Sequence, residues 1–315
     1  LAKYLVTGGC GFIGSHLVES LVADGHSVRV LDDLSTGKRE NLSPEIPLVV
    51  GDVADGDLTA RCMDGMDGCF HLAAVASVQR SAEAWLNTHR TNLTGAIAVF
   101  DASRPREGRA ARPVVFASSA AVFGANTAVP LRETSTTAPL SAYGADKLGC
   151  ELHGAVAASA FGVPVTALRF FNVYGPRQDP KSPYSGVIGI FSERLINGAP
   201  VTIFGDGLQC RDFIYVEDVV RFLRAAMEQP RPVFRVFNVC TGRATTLLQL
   251  VDSLAALQDI TARIEFAAPK IGDIRESLGD PGAAAAEMGV SAQVALRDGL
   301  ARTLAHIAAS AGSIG

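Results

Sequence analysis

Tyr143 and Lys147 stand four residues apart in Ala142-Tyr143-Gly144-Ala145-Asp146-Lys147, a spacing that puts both side chains on one face of a helix. A phenol has a pKa near ~10 and is a poor base at neutral pH. An ammonium beside it favours the phenolate, the form that takes a proton from an alcohol. Such pairs are common on helices, and this one gains meaning only from its surroundings. Twenty-four residues earlier, Ser118 and Ser119 follow the apolar run Pro113 to Ala117, at the kind of carboxyl edge where an open α/β sheet binds ligands. There the Ser119 hydroxyl can hold the oxygen that the phenolate deprotonates. The plainer alternative is a serine that turns the chain after a strand.

A second set of residues can hold a dinucleotide. Thr7-Gly8-Gly9-Cys10-Gly11-Phe12-Ile13-Gly14 lies directly between a strand and a helix. Glycines there permit a tight turn and let main-chain N–H groups approach a pyrophosphate at the positive end of a helix. Asp32 ends the second strand, twenty-one residues after Gly11. A carboxylate at that point accepts hydrogen bonds from ribose hydroxyls and repels a 2′-phosphate, so NAD is expected over NADP. Asp32 and Asp33 capping a turn is the alternative, and Lys38 and Arg39 nearby blur the preference. Asp52, after the third strand, is a candidate for the adenine edge.

The elements that position these groups are legible as a pattern. Lys3 to Thr7, Ser27 to Leu31, Pro47 to Val50, Cys69 to Ala73, Pro113 to Ala117 and Val165 to Phe170 read as buried strands. Phe12 to Ala23, Ala84 to Ser103 and Ala142 to Ala160 carry helical periodicity. Alternation of this kind predicts an α/β fold, a doubly wound parallel sheet of the Rossmann type. After about residue 170 the pattern becomes turn-rich, with a helix over Val187 to Asn197, a strand over Val201 to Phe204 and a helix over Val216 to Glu228. We therefore expect an NAD-binding domain over 1–170, its sheet completed by later segments, about 212–240. A smaller C-terminal α/β substrate lobe is expected over 171–211 and 241–315.

Composition narrows the class. A net charge of −4 and no long run of Lys and Arg disfavour nucleic acid as a partner. No apolar stretch reaches membrane-spanning length, and the apolar start, Leu1 to Val6, is too short for a signal peptide. The six cysteines form no C-x-x-C pair and no histidine cluster has metal-ligand spacing, so no metal is expected. Six reduced thiols suit a cytoplasmic protein.

Together, the glycine loop, Asp32, Ser119 and Tyr143-x-x-x-Lys147 resemble the extended short-chain dehydrogenase/reductase family, as does Leu168-Arg169-Phe170-Phe171-Asn172-Val173-Tyr174-Gly175-Pro176-Arg177. Phe70-His71-Leu72-Ala73-Ala74, Phe204-Gly205-Asp206-Gly207 with Arg211-Asp212-Phe213-Ile214-Tyr215-Val216, and Phe237-Asn238-Val239 are similar to its nucleotide-sugar branch. The likeness runs from residue 2 to about 300. It implies that Tyr143 is the base, that Lys147 binds the nicotinamide ribose and tunes Tyr143, and that Ser119 bonds the sugar hydroxyl. The implied NAD site also takes in Gly8, Gly11, Phe12, Ile13, Gly14, Asp32, Asp33, Ser35, Thr36, Gly37, Asp52 and Val53. Leu72, Ala73, Ala74, Ala76, Asn92, Ala117, Phe170 and Val173 complete it. The implied substrate site comprises Ser119, Asn172, Gly186, Val187, Thr202, Phe204, Arg211, Lys270, Asp273 and Ser277. Lys270 departs from the arginine frequent there, keeping the charge and losing the bidentate fork.

The family includes epimerases, dehydratases, decarboxylases and reductases, so its fold alone does not choose a reaction. The residues after Ser119 are Ala120 and Ala121, where dehydratases resemble one another in an Asp-Glu pair and decarboxylases usually carry a glutamate. Without that carboxylate, removal and return of one hydride remains, through a 4-keto sugar and bound NAD. Gly272-Asp273-Ile274-Arg275-Glu276-Ser277 resembles the epimerase block whose sixth residue lies against the sugar's carbon-2 substituent. Ser277 leaves room there for an N-acetyl group; an exposed loop serine is the alternative. Ser77-Val78-Gln79-Arg80-Ser81, Arg177-Gln178-Asp179-Pro180 and Tyr184-Ser185-Gly186-Val187-Ile188 also resemble bacterial enzymes acting on UDP-N-acetylglucosamine. The expectation is a UDP-sugar 4-epimerase for UDP-N-acetylglucosamine and UDP-N-acetylgalactosamine, with UDP-glucose and UDP-galactose as a second pair. Its rivals are a UDP-glucuronate decarboxylase or 4-epimerase, a keto-sugar reductase, and a non-catalytic NAD-sensing protein. The last class typically loses the tyrosine or lysine kept here. Alanine-rich helices near 84–103 and 142–160 resemble those that pair family members into homodimers.

Overall fold

Successive residues of the early strands are buried on opposite sides. Leu5, Leu31, Phe116 and Ala167 pack into one core, and Val6, Val30, Val115 and Leu168 into another. A strand apolar on both sides is stable only between two covering layers, and each fully buried Val, Leu or Phe contributes roughly 1.5–3 kcal/mol. In the computed structural model, residues 1–179, 186–269 and 274–312 are described, side chains of 310–312 excepted. Its strands in chain order are β1 (Lys3–Thr7), β2 (Ser27–Asp32), β3 (Leu48–Val50), β4 (Gly68–His71), β5 (Val114–Ser119), β6 (Val165–Phe170) and β7 (Asn172–Tyr174). They continue as β8 (Val201–Phe204), β9 (Cys210–Tyr215), β10 (Phe234–Val239), β11 (Ala244–Thr246), β12 (Ile264–Ala267) and β13 (Glu276–Ser277).

The main sheet has seven strands in the order β10-β6-β5-β4-β1-β2-β3, every pair parallel. This is the expected doubly wound Rossmann sheet. Residues of helices Phe12–Ala23 and Val216–Glu228 contribute to one covering core, and those of Gly56–Met63, Gly95–Ala102 and Ala142–Phe161 to the other. The chain runs outward from β1 to β3 and returns to β4 on the other side of β1. That reversal opens a crevice beyond the carboxyl ends of β1 and β4, where Thr7 and His71 are register partners.

Two smaller sheets follow. In one, β9 pairs with β7, β11 and β13; in the other, β8 pairs with β12. Their core includes Phe191, Ile203, Phe213, Leu250 and Leu300. Of the stretch 212–240, β10 enters the main sheet, whereas β9 forms the centre of the small one. The helix expected over 84–103 is interrupted. Trp85–His89 passes into a π-helical turn, Arg90–Thr94, before Gly95–Ala102. A short helix, Val78–Glu83, precedes it, capped by the Ser77 hydroxyl accepting from the Arg80 N–H.

Candidate active site

The glycine loop is held by contacts that only glycine tolerates. A Cβ on Gly14 would lie 2.1 Å from the Gly8 carbonyl oxygen. Gly8 has φ +70°, and its own Cβ would lie 2.6 Å from the Ala73 nitrogen. The loop after β1 is thus pressed against the loop after β4. Thr7 fastens the two: its hydroxyl bonds the His71 Nδ1 at 2.7 Å and accepts from the Ala73 N–H at 3.2 Å. No side chain caps the helix Phe12–Ala23 at Gly11, so its first N–H groups face the crevice without a protein cap. An anionic pyrophosphate fits that end.

Asp32 is buried, and each carboxylate oxygen accepts a main-chain N–H, from Cys10 at 2.9 Å and from Leu34 at 2.9 Å. Burial pushes its carboxyl above the usual range, and these two bonds oppose the shift. Turn-making and ligand-holding are therefore compatible here, because each oxygen keeps a second lone pair. Gly37 closes over it; a Cβ there would lie 2.9 Å from Asp32 Oδ1. Asp33 accepts from the Ser35 N–H and hydroxyl. Arg39 turns away, its guanidinium donating to the carbonyls of Leu42, Ser43 and Pro44. Lys38 lies 3.9 Å from Asp179. The two cations that blurred the NAD preference thus have partners of their own. Asp52 accepts from the Ala54 N–H and lies 3.3 Å from Arg90, while the Val53 side chain is buried in the core.

Asn92, inside the π-helical turn, spends its amide on the loop after β4: Oδ1 accepts from the Val75 N–H at 2.8 Å and Nδ2 donates to the Val75 carbonyl at 3.3 Å. It thereby holds the stretch containing Leu72, Ala73, Ala74 and Ala76.

The Tyr143–Lys147 helix starts at Ser141, whose hydroxyl accepts from the Gly144 N–H. Lys147 is buried; its Nζ donates to the Ala117 carbonyl at 2.7 Å and lies 5.8 Å from the Tyr143 ring centroid. Ser119 ends β5 and accepts from the Ala121 N–H at 3.1 Å, capping the 3₁₀ turn Ala120–Phe123. That cap leaves its hydroxyl proton and one lone pair for another partner. A Cβ on Gly144 would lie 2.7 Å from the Ala121 carbonyl, so the turn after Ser119 is packed against the residue after Tyr143. Ser119, the last residue of β5, is the register partner of Phe170 at the end of β6, and β7 with Val173 follows directly in the chain.

The small sheet brings three candidates together. Ser277 is the register partner of Arg211, and Asn172 is the partner of Phe213, two residues further along β9. Arg211 Nη1 donates to the Cys210 and Ile274 carbonyls. Buried Asp212 accepts from the Thr241 and Gly242 N–H groups and the Thr241 hydroxyl, fixing the turn after β10. Gly186 and Val187 open the helix Val187–Ile196, with the Gln178 amide against Gly186. Thr202 and Phe204 lie on β8, and Phe204 lines a cavity of about 530 Å³ with Asp206, Gln209, Phe266 and Arg275. Lys270 and Asp273 lie outside the described residues, as do Pro180, Tyr184 and Ser185.

Sequence reasoning passed over Thr7 and His71 as a fastening between the two loops. It also passed over Glu151, four residues beyond Lys147, which accepts from Ser118 and Arg169 beneath the site. The repeated step of four from Tyr143 was the available signal. Among the described residues no group of His, Cys, Asp or Glu is placed to hold a metal, and no helix is long and apolar enough to cross a membrane.

Comparison with known proteins agrees with this architecture. The chain is 39% identical over 310 residues to a UDP-glucose 4-epimerase of Mycolicibacterium smegmatis, covering 96% of this chain and 97% of the relative. It superposes with a TM-score of 0.92 on the UDP-glucose 4-epimerase of Thermotoga maritima crystallised with UDP-glucose, at 37% identity, covering 98% and 99% of the two chains. It superposes equally, with a TM-score of 0.92, on a UDP-N-acetylglucosamine 4-epimerase of Methanobrevibacter ruminantium in complex with UDP-N-acetylmuramic acid, at 33% identity and the same coverage. The profile of the NAD dependent epimerase/dehydratase family matches residues 4–240, and the chain belongs to that family.

Proposed function

We propose that the protein is a UDP-sugar 4-epimerase whose substrates are UDP-N-acetylglucosamine and UDP-N-acetylgalactosamine, with UDP-glucose and UDP-galactose as a second pair. The observation that carries the reading is the composition of the catalytic edge. Lys147 is tied to Ala117 on the strand that Ser119 ends, and the turn after Ser119, which packs against Gly144 next to Tyr143, offers Ala120 and Ala121 and no carboxylate. Elimination of water needs a further acid/base, and the turn after Ser119 supplies none. NAD bound against the glycine loop supplies a hydride acceptor and donor for carbon 4.

The chain's own residues do the rest. Tyr143 Oη takes the proton of the 4-hydroxyl and later returns it. Lys147 supplies positive charge beside that oxygen, and its bond to the Ala117 carbonyl fixes where the charge sits. Ser119 donates to the same sugar oxygen, its own orientation set by the Ala121 N–H. Asp32 holds the adenosine ribose. Residues 171–211 and 241–315 form the nucleotide-sugar lobe, in which Arg211, Asn172 and Lys270 hold the diphosphate and Phe204 covers the base. The pairing of Ser277 with Arg211 supports the N-acetyl assignment, because it sets a small side chain next to the expected diphosphate grip. Incubating the purified protein separately with UDP-N-acetylglucosamine and UDP-glucose, and following the carbon-4 epimer by proton NMR, tests this reading. No epimer from either sugar, or carbon dioxide from UDP-glucuronate, would reject it.

The functional unit is proposed to be a homodimer. Leu152 and Val156, one turn apart on the Tyr143 helix, are 64% and 52% exposed, and Ile97 on Gly95–Ala102 is exposed as well. Exposed apolar side chains on these two helices suit pairing with a second copy. Sedimentation at micromolar concentration distinguishes dimer from monomer.

A further inference from the structure

Beneath the catalytic edge lies a buried ion pair for which the reaction has no direct use. Glu151 Oε1 accepts from the Ser118 hydroxyl at 2.6 Å and from Arg169 Nε at 2.9 Å, and Oε2 accepts from Arg169 Nη2 at 2.7 Å. Both charged side chains are only 5% exposed. Arg169 Nη1 donates to the Glu133 carbonyl at 3.0 Å, and its guanidinium lies 4.7 Å from the centroid of the Phe123 ring. A buried pair of this kind often contributes little net stability, because desolvation offsets the attraction, so stability alone is a poor account of it.

Its placement suggests another role. Tyr143, Lys147 and Glu151 follow one another at four-residue steps, each step advancing about 6 Å along the helix. Lys147 is tied to Ala117 and Glu151 to Ser118, two consecutive residues of β5 that immediately precede Ser119. Ser118 and Arg169 are register partners on β5 and β6. Phe123, at the end of the turn that Ser119 caps, rests against the same guanidinium. One bidentate fork therefore touches the Tyr143 helix and the Ser119 turn and is itself carried on β6. A bidentate fork has little angular freedom, unlike a single contact.

We propose that Glu151 and Arg169, with Ser118, are positioning residues that set the register of the Tyr143 helix against the Ser119 strand. The proposal rests on the roles assigned above to Tyr143 and Ser119. Proton transfer needs donor and acceptor within hydrogen-bond reach, and a shift of about 1 Å in such an arrangement can cost on the order of a hundredfold in rate. Glu151, Arg169 and Ser118 make none of their hydrogen bonds given above to β7, β9, β11 or β13, the strands proposed to hold the UDP moiety, so the loss should fall on turnover.

Ser118→Ala and Glu151→Gln test it, assayed at equal bound-NAD content and well below the melting temperature. Ser118→Ala removes one hydroxyl without stranding a charge, and it carries the test if Glu151→Gln fails to fold. We expect kcat to fall roughly tenfold or more in Glu151→Gln and severalfold in Ser118→Ala, with KM within about twofold of wild type. A normal kcat in Ser118→Ala and in any folded Glu151→Gln, or a loss carried by KM, overturns the proposal. Tyr143→Phe is the control. If it is inactive while both variants turn over normally, the positioning role alone fails; if it is itself near normal, the underlying reading of the site fails.

Discussion

Burial, and after it the Lys147 ammonium, push the His71 imidazole down to about 3 from its ordinary 6.5. The folded protein thus keeps His71 neutral, whereas the unfolded chain takes up a proton there below about pH 6.5. Stability linked to His71 is fully present above that pH and is lost as pH falls toward the folded value. Each unit of pH in this window is worth roughly 1.4 kcal/mol, so about 2 kcal/mol should be lost by about pH 5. In His71→Asn the amide can still meet the Thr7 hydroxyl where Nδ1 now does, at 2.7 Å, but it does not titrate. Urea unfolding of both proteins at several values between about pH 7 and pH 5 gives the comparison. Wild-type stability should fall more steeply than that of His71→Asn, by about one proton's slope. His16 and His306, also lowered by burial, contribute equally to both curves and drop out of the difference. Parallel curves would refute the reasoning. The functional corollary is that His71 adds no positive charge beside the Lys147 ammonium at neutral pH.

Two further perturbations probe the binding sites. Gly14→Ala puts a methyl 2.1 Å from the Gly8 carbonyl oxygen and 2.8 Å from Gly9 Cα, both main-chain atoms that cannot swing aside. Overpacking of this kind costs about 1–3 kcal/mol, so NAD affinity measured by calorimetry should fall about fivefold or more, and the protein should purify with less nucleotide. Ser277→Tyr should suppress turnover of the N-acetylated sugars while sparing UDP-glucose; equal loss on both would remove the idea of a gate at carbon 2.

The sequence displayed much of this design because the constraints were local. β1, β2, β5 and β6 carry apolar residues on both sides since both their faces are covered, as the opposite burial of Leu5 and Val6 shows. The glycine loop was legible because Gly8 and Gly14 meet main-chain atoms that exclude any side chain. What escaped was set by tertiary contacts. The periodicity of 84–103 concealed the π-helical turn at Arg90–Thr94, where Asn92 reaches across to Val75. Cys210–Tyr215 and Phe234–Val239 are alike as six-residue strands of mixed apolar and polar residues, yet one centres the small sheet and the other borders the large one. Their neighbours in space, not their own residues, decide that. Glu151 and Arg169 are eighteen residues apart and meet only because β6 lies beside β5 under the helix.

The claim on which the account depends is that one hydrogen leaves carbon 4 of the sugar and returns to that carbon without meeting solvent. Purified protein with its own NAD, given a UDP-sugar deuterated at carbon 4 in ordinary water, decides it by NMR or mass spectrometry of the epimer. The account predicts that deuterium remains at carbon 4 of the product. An epimer that carries solvent hydrogen there would contradict it.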